Sequence, residues 1–231
     1  MTRTAADPTA KGLSQLEADI LKVVGGANVD RSKQALEILL QFDQLSPQAE
    51  SFLRPFKTSS NDELRILSLE AQVLSGSPAK DTTGIPKPLA TIDTPALVRR
   101  RAAIKDFATA LRGRADSNAP VSEGVGRILA GDTTIGDLEM LEEIVTTSPV
   151  QSLRLYAMLG IRRLAARQTL PFLVGQLDAT DITVQFQAIM TLAEITGKGG
   201  EYGPGMDLFK KDPGKYSSIW KKWWREVGTH Q

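Results

Sequence analysis

The chain has 231 residues, 41% hydrophobic and 24% charged, enough apolar material for a sizeable core beneath an ordinary soluble surface. Its 28 Lys and Arg against 27 Asp and Glu leave a formal charge of +1, so no global field draws it to nucleic acid or anionic lipid. With no cysteine, disulfides, thiolate nucleophiles, Fe–S clusters and cysteine zinc sites are excluded. No apolar run approaches the ~20 residues of a membrane helix, so no membrane span is expected. The opening Met1–Pro8 lacks a signal peptide's apolar stretch, which leaves the cytoplasm, or the periplasm after removal of a signal, both open.

In chain order, residues 1–12 read as a flexible lead-in. Apolar residues then recur at three and four positions through Leu13–Val24, Ala35–Phe42 and Leu64–Leu74, an N-terminal helical region over residues 13–76. Ser46-Pro47, Asn61-Asp62 and Thr94-Pro95 have the chemistry of helix starts. Residues 77–94, with Pro78, Gly84, Pro86 and Pro88, read as a long connection between two helical halves. Helical periodicity resumes over residues 95–196 in Leu97–Leu111, Leu138–Val145, Leu153–Leu164 and Val184–Ile195. The segment 197–231 closes the chain. Its Gly197–Gly214 stretch reads as an ordered but irregular loop anchored by Tyr202, Met206, Leu208 and Phe209, and a Trp-rich helix follows. No run shows the alternation of a strand bounded by hairpin turns.

Leu153–Leu164 aligns without a gap on Val184–Ile195 at a shift of 31: an aliphatic residue, Ala157 or Ala188 four later, and aliphatics at eight and eleven. The preceding short helices correspond at a shift of 32, Leu138, Met140 and Leu141 against Leu170, Phe172 and Leu173. A degenerate earlier copy runs through Phe52–Leu53 and Leu64–Ser68. A helix, a turn, a second helix and a return after about 31 residues mark an α-solenoid, and the alanine suits a close helix contact.

These residues resemble the second helices of short bacterial HEAT-like repeats: aliphatic, Arg or Gln, then Ala, Leu, and Ile or Leu. Thr196-Gly197, the glycine-rich loop, and Tyr216, Trp220, Trp223 and Trp224 resemble the ending of such proteins. The resemblance covers about residues 137–228. It implies an all-α, single elongated domain, an α-solenoid of antiparallel helix pairs whose second helices line a concave surface.

Arg154, Arg162, Arg163 and Arg167 lie on or just after such a second helix, so Arg154, Arg162 and Arg163 are the first candidates for a binding face. Arg99, Arg100 and Arg101, near Lys105, Arg112 and Arg114, form a second basic run suited to an acidic partner or nucleic acid, or else a solvated face paired with the acidic stretch that follows. Trp220, Trp223, Trp224 and Val227 share one helix face, which reads as a cap on the last repeat, with an aromatic ligand platform as the alternative.

Catalytic patterns are lacking. His230 is the single histidine, one residue from the end, so Ser-His-Asp chemistry and histidine metal sites have no basis. Gly197-Lys198 fails as a phosphate loop, with Leu192 in place of the required glycine and Gly199 in place of Ser or Thr. Glu142 and Glu143 are adjacent and diverge on a helix. The expectation is a non-catalytic scaffold that binds a protein or peptide, with no cofactor and no metal. Nucleic-acid binding of the DNA-glycosylase-like kind is disfavoured by the near-neutral charge but stays open, as does a tetrapyrrole lyase or chaperone-like accessory role.

Overall fold

A computed structural model describes residues 8–42, 45–75, 95–112 and 120–228. The expected connection over residues 77–94, Arg114 and His230 lie outside them. Every regular element among the described residues is helical, apart from one isolated bridge between Leu45 and Ser75. No helix among them is long and apolar enough to cross a membrane.

The sequence reading expects one elongated domain; the chain clusters into two compact units. The first holds α1 (Pro8–Val24), α2 (Val29–Leu39), α3 (Pro47–Leu53), α4 (Asp62–Leu74) and α5 (Pro95–Leu111), with Val121–Val125. α1 starts at Pro8, five residues before the Leu13 where the apolar pattern begins, because Pro8 is tolerated in a first helical turn. α3, α4 and α5 start where Pro47, Asn61-Asp62 and Pro95 place them. Asn28 accepts from Arg31 N at 3.0 Å and Asn61 from Leu64 N at 2.9 Å, satisfying donors that a helix start leaves open. α3 is capped from a distance: buried Glu17 of α1 accepts from Ser46 N and, at 2.6 Å, from Ser46 Oγ.

The second unit runs from Gly126. It holds the rest of α6 (Glu123–Gly131), then α7 (Leu138–Thr147), α8 (Gln151–Leu164), α9 (Leu170–Gly175), α10 (Ile182–Thr196), α11 (Gly199–Tyr202), α12 (Met206–Lys211) and α13 (Pro213–Val227). The apolar pattern passes over α6, whose glycines interrupt it. Gly126 serves close packing, since a Cβ there would clash with the Tyr156 ring, as one on Gly160 of α8 would with the Leu129 carbonyl oxygen. The stretch expected to be an irregular loop contains α11 and α12, because fully buried Phe209 anchors a helical turn against Phe186, ring centroids 5.4 Å apart.

α7 packs on α8, α9 on α10, and α8 on α10. Ala157 and Ala188 are fully buried, as residues at a close helix contact are, and so is Ser68. α8 and α10 also end alike, each with a left-handed residue: Ala165 at φ 46° and Gly197 at φ 71°. The α9–α10 construction, a short helix tightening into a single 3-10 turn before an Asp-capped long helix, recurs in α3–α4 with an Asn cap.

Candidate functional site

The arginines of α8 do not gather on one face. Arg154, near the start of the helix, donates to the carbonyls of Ser148 at 2.8 Å and Pro149 at 3.1 Å, and to the Asp181 carboxylate at 2.7 Å. Asp181 is also the N-cap of α10, accepting from Thr183 N at 2.9 Å. Burial raises this carboxyl's pKa; the hydrogen bond from Arg154, those from the Thr183 and Val184 amides, and the Arg154 charge outweigh it and hold the group below 3.8. Two turns on, Arg162 donates to Glu194 of α10 at 2.6 Å. Its neighbour Arg163 turns the other way, onto the Thr133 carbonyl and hydroxyl before α7. Burial lowers the Arg163 pKa, opposed by Asp132 and Asp137.

Arg154 and Arg162 therefore tie α8 to α10 at both ends, start to start and finish to finish. One repeat on, Gln185 fills the Arg154 position, donating to the Leu177 carbonyl at 2.6 Å and to Ser217 Oγ of α13 at 3.1 Å. Behind this row, Thr169 donates to Glu142 of α7 at 2.9 Å. Burial raises the Glu142 pKa, Thr169 partly offsets this, and Glu139 adds to it. Arg167, at the turn into α9, has no ion pair or hydrogen bond from its side chain among the described residues.

Arg99, Arg100 and Arg101 also diverge, since consecutive helical residues point about 100° apart. Arg99 is exposed, 3.6 Å from Glu50; Arg100 is buried at 5% exposure; Arg101 is half-buried. The run is not a single basic surface.

Between the arginine ties lies a row the sequence reading passes over. Leu155 and Leu159 on α8 and Phe186 and Met190 on α10 are all half-buried. Each pair is four residues apart, and the pairs correspond at the repeat shift of 31. The signal was present in sequence: these residues are apolar yet fall outside the Leu, Ala, Ile, Leu register that fills the core.

The tryptophan helix is a cover. α13 packs against α9, α10, α11 and α12. Trp220 is fully buried, Trp223 is 8% exposed and Trp224 half-buried. Tyr202 and Trp223 both meet Trp220 edge-on, at 5.5 Å and 5.3 Å between centroids, an arrangement aromatic quadrupoles favour. The Trp220 indole N–H finds no hydrogen-bond acceptor among the described residues.

Beside this cover opens a cleft of about 390 Å³. Trp223, Tyr202, Leu170, Ile195 and Val227 supply its apolar walls, and Arg167, Lys198 and Glu226 its charges. Lys198 lies 3.3 Å from Glu201 and 5.1 Å from the Tyr202 ring centre. Tyr202's hydrogen bond to Glu201 raises the phenol's pKa, with burial and the charges of Glu201 and Glu226 acting the same way. The same bond, then Lys198, lowers that of Glu201. Glu226 has Lys222 at 3.9 Å. Among the described residues no group of three or more His, Asp or Glu side chains gathers as a metal site would. No protein-family model matches the chain, and no curated protein matches it.

Proposed function

We propose that the chain is a non-catalytic protein-interaction module, a HEAT-like α-solenoid over α6–α13 that holds a polypeptide partner along its second helices. The observation that carries this reading is the half-buried apolar row, Leu155 and Leu159 beside Phe186 and Met190, presented at the same register by α8 and α10. Apolar side chains held in place by ties on either side are the pattern of a preorganised protein-binding surface. The solenoid reading is supported by contacts at one-repeat spacing: Leu129 with Gly160, Arg162 with Glu194, and Gln185 with Ser217. A polypeptide is favoured over nucleic acid because Arg154 and Arg162 face carboxylates, which takes their charge away from a phosphate backbone.

The test is capture from the native host with the chain and with Leu159→Asp and Met190→Asp variants, each first shown by circular dichroism to keep its helix content. Loss of the partner in both variants supports the reading. A partner retained at full strength by both would place its binding elsewhere.

A further inference from the structure

We propose a second binding site, distinct from the apolar row: the cleft beside the tryptophan cover takes a small monocarboxylate whose apolar body is one or two rings across. The size follows from a volume of about 390 Å³, at the lower end of small-molecule pockets. The apolar body follows from the walls, where Trp223 and Tyr202 face the cleft with Leu170 and Ile195. The charge follows from accounting for each ion at the rim. Lys198 is engaged by Glu201 at 3.3 Å and Glu226 has Lys222 at 3.9 Å, which leaves the Arg167 guanidinium as the uncompensated charge.

A guanidinium offers a carboxylate two parallel donors, and among the described residues this one has no other hydrogen bond or ion pair. A dianion such as a phosphate monoester would bring a second negative charge towards Glu226, so a monoanion is the better match. Arg167 is exposed and its side chain is bonded to no other group among the described residues, which is the condition of a residue available to a ligand. Arg154, Arg162 and Arg163, by contrast, are all engaged within the chain.

The experiment is a titration of the whole chain with 2-naphthoate, followed by NMR of the three indole N–H groups, assigned through single Trp→Phe variants. The neutral 2-naphthamide and an acetylated tetrapeptide ending in phenylalanine are the comparison probes. Expected is a saturable shift of the Trp223 signal with 2-naphthoate and binding of the amide about ten-fold weaker or more, as loss of a charged hydrogen bond implies. Arg167→Gln should lower naphthoate affinity by a similar factor and leave the amide unchanged, whereas Arg225→Gln on the same cover should do nothing. No saturable shift, equal binding of acid and amide, or indifference to Arg167→Gln would overturn the site. Tighter binding of the peptide than of naphthoate would overturn its assignment to a small molecule.

Discussion

α4 in the first unit and α10 in the second begin alike, with an Asx cap and a small buried residue one turn after the first core position, and then differ in exposure. α4 is buried without a break from Ser68 to Leu74, with α2, α3 and α5 packed against it. α10 leaves Gln185, Phe186, Gln187 and Met190 half-buried. The small residue persists in both helices because it lies at a helix contact. The polar position after the first aliphatic does not keep its role. Arg65 pairs with Asp62 one turn back on its own helix at 2.7 Å, while Arg154 reaches the N-cap of α10 and Gln185 reaches α13.

Covers should matter most in both units. Trp220→Ala and Phe107→Ala, both removing side chains at most 1% exposed, should each cost about 3–5 kcal/mol in urea denaturation. Trp224→Ala, half-buried, should cost well under half as much. Equal effects at Trp220 and Trp224 would mean that α13 covers nothing.

The polar ties should separate the units next. Arg154→Met strands the Asp181 carboxylate, in a pair whose Arg154 and Asp181 side chains are 21% and 11% exposed, and should cost about 1–3 kcal/mol near neutral pH. Arg65→Met, in an exposed pair within one helix, should cost about 0.5 kcal/mol or less. The Arg154 effect also has a pH signature. The folded pKa of Asp181 is depressed, so the pair's contribution is complete above the unfolded value of 3.8 and is lost as pH falls through the folded one. Chemical denaturation of wild type and variant should therefore draw closer below that pH, leaving only what the Arg154 bonds to the Ser148 and Pro149 carbonyls contribute, and a gap that does not narrow there would contradict the assignment.

The small-residue position should behave alike in both units. Ala157→Leu and Ala188→Leu should overpack and cost roughly 1–3 kcal/mol, and Ser68→Leu a comparable amount. Melting temperatures equal to wild type would show these positions to be free of close contacts. The smallest expected effect is a gain. Ala165 holds a left-handed φ of 46° where its counterpart is Gly197, so Ala165→Gly should stabilise by about 1 kcal/mol, read from the urea midpoint.

The helical fold was legible because three- and four-residue spacing of Leu, Ile and Ala survives wherever one face is buried. α6 was not legible, since the glycines that admit Tyr156 and Leu74 break its pattern. Nor was α12, where Phe209 alone signals a buried turn within a glycine-rich segment. The arginines stand out in the sequence but their roles do not: sequence spacing places Arg162 and Arg163 side by side, and only the fold reveals that they reach opposite neighbours. The cleft joins Arg167, Ile195, Tyr202 and Trp223, brought together by the return of α13 over α10, and no local pattern connects them.

The central claim is that α8 and α10 lie side by side in the same direction, one repeat apart. The chain has no cysteine, so introduced pairs report without background. Arg162→Cys with Glu194→Cys places thiols at positions whose native side chains meet at 2.6 Å. Arg154→Cys with Glu194→Cys moves one thiol two turns away, about 12 Å along the axis. A bismaleimide spanning about one helix-to-helix distance, ~8–10 Å, should join the first pair rapidly and the second poorly or not at all. Preferential linkage of the second pair would mean that the helices run in opposite directions, and the repeat array would be wrong.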